Sequence, residues 1–158
     1  RAVGSFGYPV GPTRRCSTHS NTGAPDVLPT LRPNYAATPE DRALMQEVLR
    51  LARCYAEQEP LRGMIELETF PGAQCVSEAD VLDTYARHGS CGYHAVGTCR
   101  MSRDPASVLD SELRVRGVQG LRVMDTSIFP QIPSGNTNGP VMAMAWRAAD
   151  VIKRGTTF

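Results

Sequence analysis

No stretch of the chain approaches the roughly 20 consecutive apolar residues of a membrane span, and its most apolar run, near the C-terminus, is broken by Arg147 and Asp150. Charge of one sign is missing too. Seventeen Lys and Arg are scattered among sixteen Asp and Glu, for a formal net charge of +1, which provides no field to attract nucleic acid or an anionic membrane. The five cysteines, Cys16, Cys54, Cys75, Cys91 and Cys99, are odd in number and contain no paired Cys-x-x-Cys. Neither a zinc site nor a dense disulfide framework is expected, and reduced thiols are the simplest reading. No Gly-x-Gly-x-x-Gly turn follows a strand, so the chain has no dinucleotide pyrophosphate cradle of its own.

Only three histidines are present. His19 lies in a polar loop with no constellation around it, and His88 falls in the last turn of a predicted helix, where a cation suits the dipole. His94 stands in Cys91-Gly-Tyr-His-Ala-Val-Gly-Thr-Cys-Arg-Met101. Gly97 lets that backbone approach another group closely, and imidazole is the side chain best suited to accept a proton near neutral pH, so His94 is a candidate general base. Cys91 and Cys99 flank it, but a Cys/His nucleophile pair would need a third, orienting group, and none is evident.

Downstream come Leu121-Arg-Val-Met-Asp-Thr-Ser-Ile-Phe-Pro130, then Pro133-Ser-Gly-Asn-Thr-Asn-Gly-Pro140, then an apolar helical pattern. Together with His94-x-x-Gly97-Thr98-x-Arg100-Met101, these runs resemble the C-terminal part of the glucose-methanol-choline oxidoreductases, FAD enzymes that oxidise alcohols. The match runs from about Tyr93 to Ile152. Weaker landmarks precede it: Pro29-Thr-Leu-Arg-Pro-Asn-Tyr35, Glu40-Asp41 and Glu68-x-x-Pro71-Gly72. Ser102 departs from the glycine usual after Arg-Met, which bears on the local turn and leaves the chemistry alone.

The resemblance implies a mixed α/β fold, the C-terminal part of a two-domain FAD oxidoreductase. An antiparallel substrate-domain sheet with helices would lead back to a Rossmann-like FAD-binding domain. Residues 1–100 would belong to the substrate side and 101–158 to the FAD side. A chain that opens on Arg1 without a dinucleotide turn is accordingly read as a C-terminal piece, whose partners are the N-terminal part of the same enzyme and a small-molecule alcohol. FAD is the implied cofactor, because no side chain can accept hydride. By the same resemblance His94 takes the hydroxyl proton and Asn136 orients the substrate oxygen. Tyr93 would lie beside the isoalloxazine, Asp125 and Thr126 near the ribityl or pyrophosphate portion, and Thr137 at the pyrimidine edge. A flavin lyase of the same fold and a non-catalytic interaction domain stay open as alternatives; in the latter His94 and Asn136 would be structural.

Local rules add the elements. Residues 1–37, rich in Gly, Pro, Ser and Thr, read as loops and short strands, with Val27, Leu28 and Leu31 available to anchor a sheet edge. Thr38-Pro39-Glu40-Asp41 opens a helix with Leu44, Val48, Leu51 and Tyr55 on its packed face, while Arg53 faces water. Met64 to Phe70 alternates loosely like a strand. Ser77-Glu-Ala-Asp80 is a capping-box variant starting a helix that buries Val81, Leu82, Tyr85 and Ala86 and stops at Gly89. Short strands separated by glycine turns are expected across 108–124. The last helix, capped by Asn138, is apolar nearly all round from Val141 to Ile152 and is expected to be buried.

Overall fold

The computed structural model describes residues 3–155. Two compact units divide the chain, Arg1–Ser90 and Cys91–Phe158. The described residues hold three α-helices and one two-stranded antiparallel sheet, a mixed α/β composition.

In the first unit, β1 (Ser17–His19) pairs with β2 (Thr30–Arg32) in the register Ser17↔Arg32, Thr18↔Leu31, His19↔Thr30. Val27, Leu28 and Leu31 are all exposed, so the apolar anchor expected of them is not made within this unit. Helix α1 (Pro39–Ala56) begins as its sequence dictates. The Thr38 hydroxyl accepts from Asp41 N at 3.1 Å, Pro39 fills the first position where a missing N–H costs nothing, and Glu40 and Asp41 face the positive end of the dipole. Helix α2 (Glu78–His88) carries the reciprocal capping box of Ser77 and Asp80. Gly89 ends α2, and the reason is close approach: a Cβ there would lie 2.4 Å from the Tyr85 carbonyl oxygen, whose acceptor is already bonded to Gly89 N at 2.9 Å.

The face on which α1 packs differs from the expected one. Leu44, Leu51 and Tyr55 are exposed, while Asp41, Met45 and Leu49, at i, i+4 and i+8, face inward. Met45 joins Cys75 and Val81 in a small core bordered by Leu49, Leu82 and Tyr85; burying a side chain of this kind is worth about 1.5–3 kcal/mol. Ala86 stays exposed. A buried, paired carboxylate lies on the inward face. Asp41, 1% exposed, accepts from Thr13 N at 2.8 Å and the Thr13 hydroxyl at 3.2 Å, with Arg14 Nη1 3.6 Å from its other oxygen. Arg14 in turn stacks on the Tyr35 ring, 4.6 Å from its centroid. Arg53 also turns inward: it grips Glu68 through Nε and Nη2, each at 2.9 Å, and reaches the carbonyls of Cys75 and Gly72 at 2.9 and 3.1 Å. That fork organises the 68–75 loop, and the strand expected over 64–70 is replaced by a 3-10 turn at Arg62–Met64 and irregular chain.

The second unit is built around Leu109 and Ile128, each 0% exposed, with Leu113, Phe129 and Ala148. The strands expected across 108–124 reduce to single bridges, Met101↔Leu109, Leu109↔Val115 and Arg114↔Arg122. Gly117 at φ 79° and Gly120 at φ 72° turn the chain before any ladder can lengthen. Helix α3 (Asn138–Gly155) starts one position away from its expected cap: Thr137 is the capping residue, its carbonyl accepting from Val141 N at 2.9 Å. Nor is α3 buried on all sides. Val141, Met144 and Ala148 contact the core, whereas Met142 is exposed and Trp146 is 82% exposed. A helix covered all round needs neighbours on every side, and this unit's core occupies one.

Burial by itself pushes the Asp41 carboxyl up, but the Thr13 hydrogen bonds and Arg14 outweigh it and hold the group below its ordinary value of 3.8. A depressed value means that the folded state favours the ionised form. The resulting stabilisation is complete above the unfolded carboxyl's value and is lost as pH falls through the lower folded one. Asp41→Ala, which leaves Arg14 beside an empty site, is expected to destabilise the unit by about 3–5 kcal/mol in urea unfolding at neutral pH. The difference from the unaltered protein should shrink below about pH 4; a pH-independent difference would assign the loss to packing.

Candidate functional site

The His94 loop is clamped to the turn that follows Asp125. Gly97 N and Cys99 N both donate to the Ser127 carbonyl, at 3.0 and 3.1 Å, and Met101 N donates to the Ile128 carbonyl at 2.9 Å. Gly97 adopts φ 93°, a left-handed conformation that a side chain would strain. Asp125 shapes the other half of the clamp by accepting from Ser127 N at 2.7 Å, which starts the 3-10 turn Thr126–Ile128. Ile128 and Phe129 then enter the core, so the clamp rests on packed apolar side chains.

Two residues ahead of this clamp's neighbour Val96, the imidazole of His94 meets the start of α3. Its Nδ1 lies 3.0 Å from Thr137 Oγ1 and its Nε2 lies 3.0 Å from Asn136 Oδ1. These partners are 43 and 42 residues away in sequence. Thr137 is 5% exposed, His94 is half-buried and Asn136 is exposed, so the trio runs from the interior to an open edge. Tyr93, 85% exposed, precedes His94 at φ 58°. A bulky residue in that region stores about 1–3 kcal/mol of strain, and here the strain sits on the backbone that aims the imidazole.

His94, Asn136 and Thr137 are thus brought together. Asp125 and Thr126 belong to a separate turn, tied to the His94 loop through Ser127. Sequence reasoning missed Ser127 itself: its carbonyl receives two amides, while its hydroxyl is buried and lacks a hydrogen-bond partner among the described residues. The Asp-Thr-Ser run was a signal for an Asp-headed turn, but nothing local marked the carbonyl as a clamp. The entry to α3 borders open space, since a Cβ added at Gly135, ahead of the helix, or at Gly139, in its first turn, would meet nothing within 4 Å. With the N–H groups of Asn138 and Gly139 at the positive end of the dipole, that space suits an anionic or electron-rich group. Among the described residues no three His, Cys, Asp or Glu side chains converge as metal ligands, all five cysteines are free, and no helix is long and apolar enough to cross a membrane.

The fold is shared with flavoprotein oxidoreductases. Pyridoxine 4-oxidase from "Mesorbium loti" superposes with a TM-score of 0.78 at 32% identity, over 89% of this chain and 28% of that one. An FAD-dependent oxidoreductase from Chaetomium thermophilum gives 0.81 at 27% identity, over 92% and 26%. Among curated proteins, an alcohol dehydrogenase [acceptor] from Pseudomonas putida is 37% identical over 126 residues, 80% of this chain and 23% of its own length. The chloroplastic fatty acid photodecarboxylase of Chlamydomonas reinhardtii is 37% identical over 137 residues, 85% and 22%. The chain therefore spans about a quarter of the length of these relatives. A sequence profile described as GMC oxidoreductase matches residues 12–145, and the chain belongs to that family.

Gly97→Ala tests the clamp. Its added Cβ would find the Phe129 carbonyl oxygen at an ordinary 3.6 Å, so the cost should come from φ alone, about 1–2 kcal/mol in equilibrium unfolding. A larger loss would mean that contact, not backbone conformation, governs the site.

Proposed function

We propose that this chain is the histidine-bearing C-terminal part of an FAD-dependent enzyme that oxidises an alcohol to an aldehyde or ketone. Residues 1–100 would lie on the substrate side and 101–158 on the flavin side. The observation that carries the reading is the pairing of the His94 ring with Asn136 and Thr137, at 3.0 Å each, next to an open helix start. FAD, when bound, supplies at N5 the acceptor for the hydride.

His94 takes the hydroxyl proton as the C–H bond is broken. Asn136 has a carboxamide that can hydrogen-bond the substrate oxygen and hold it against His94, yet it has no group that can take up the proton, so the base is His94 alone. The N-terminus of α3, with the Asn138 and Gly139 amides, would stabilise negative charge on a bound flavin, whose pyrimidine edge Thr137 would also meet. Asp125 and Thr126 would meet the ribityl or pyrophosphate portion, largely through backbone, and Tyr93 would line the isoalloxazine. The remainder of the enzyme would supply the dinucleotide turn and cover the exposed side of α3 at Met142 and Trp146.

A second reading is favoured by one finding: a relative as similar as the alcohol dehydrogenase is named a photodecarboxylase. Here the flavin would serve a carbon–carbon cleavage, and alcohols would leave its absorbance unchanged.

The test uses the intact enzyme under anaerobic conditions. With an alcohol that bleaches the flavin, His94→Ala should keep yellow, bound FAD while the rate of bleaching falls by about 10²-fold or more. Near-native bleaching by that variant would remove His94 from the role of base, and the absence of bleaching by any of a panel of alcohols would favour the second reading.

A further inference from the structure

The three helices start with the same device and only one directs it elsewhere. In α1 the Thr38 hydroxyl accepts from the amide of Asp41, and in α2 the Ser77 hydroxyl accepts from that of Asp80, each at 3.1 Å and each the third residue of its helix. In α3 the capping residue is Thr137 and the third residue is Pro140, which has no N–H to give. The hydroxyl lies instead 3.0 Å from His94 Nδ1.

Burial decides which ring nitrogen can do chemistry. Nδ1 faces the hydroxyl of Thr137, a residue 5% exposed, whereas Nε2 faces the exposed Asn136, so a substrate arriving from the open side meets Nε2. Neutral imidazole carries one proton and one lone pair. If Nδ1 accepted a hydrogen bond from Thr137, Nε2 would already hold the proton and could take no other.

Resting on the reading of His94 as base, we propose that Thr137 is a positioning residue: its Oγ1 accepts Nδ1–H and holds His94 in the tautomer whose Nε2 lone pair faces the substrate side. Before transfer, a half-turn of the Asn136 carboxamide takes Oδ1 off Nε2 and turns its NH₂ toward the substrate oxygen, which leaves the Nε2 lone pair to the substrate O–H. The substrate O–H bond then breaks as Nε2–H forms, and the electron pair of the C–H bond leaves as hydride to FAD. The imidazolium so formed donates Nδ1–H to Thr137 Oγ1 and, once the carboxamide turns back, Nε2–H to Asn136 Oδ1, the arrangement in which both oxygens flank the ring at 3.0 Å. Pro140 contributes by removing the amide that would otherwise compete for the hydroxyl.

Thr137→Val keeps the shape and removes the oxygen. In the intact, FAD-loaded enzyme it should leave KM within about threefold and slow flavin reduction by about 10- to 100-fold, and Thr137→Ser should restore most of the rate. Selective ¹⁵N labelling of histidine gives the reading that a merely structural threonine would not move. The His94 resonances, identified by their loss in His94→Ala, should report an Nδ1–H tautomer in the unaltered and Ser enzymes and a mixture in the Val variant. An Nε2–H tautomer in the unaltered enzyme, or native-rate reduction in Thr137→Val alongside a slow His94→Ala, overturns this inference alone. Native-rate reduction in His94→Ala overturns the base reading and this one with it. Should Thr137→Val lose FAD, the Ser variant and the tautomer of the unaltered enzyme decide the matter.

Discussion

Two backbone amides converging on one carbonyl hold the site together. Gly97 N and Cys99 N on the Ser127 oxygen, with Met101 N on that of Ile128, fix where the loop that carries His94 leaves the core. Backbone hydrogen bonds are well suited to this, because their geometry depends on the chain's path and not on side-chain rotamers. Each end of the clamp is made possible by a local feature: a left-handed glycine at 97 and an aspartate at 125 that turns the chain. Beneath it, Leu109, Ile128 and Phe129 make the clamp expensive to shift.

The chemistry of the site depends on direction as much as on proximity. Imidazole, carboxamide and hydroxyl are ordinary groups, and each alone is common in proteins. Here the hydroxyl lies on the buried side of the ring and the carboxamide on the open side, so the two nitrogens have different environments. A histidine with one nitrogen anchored and the other presented exchanges protons through the presented nitrogen alone. The helix start beside it adds a fixed partial positive charge without a further side chain.

Legibility in the sequence followed the range of the interactions. Helices α1 and α2 could be read with their caps, because Thr38 to Asp41 and Ser77 to Asp80 lie within one turn and the capping geometry is the same in any context. Family motifs led to His94, Asn136 and Thr137 as separate candidates. The packed face of α1 was misread because apolar residues alone were counted, whereas that face also carries a buried aspartate held by Thr13, 28 residues earlier. Short strands between glycine turns were expected across 108–124, but a strand exists only with a partner, and single bridges between those turns do not make one.

What the amino-acid order alone determined, then, is where α1 and α2 begin, where the chain must turn, and that Pro140 has no amide to offer a capping hydroxyl. These are properties of neighbouring residues, settled by sterics and by the presence or absence of a single N–H. Tertiary structure decided which side of each helix is covered and that Thr137 should meet Nδ1 while Asn136 meets Nε2. Contacts across more than forty residues depend on the path of the intervening chain, and that path is set by the packing of Leu109, Ile128 and Phe129 instead of by any local preference.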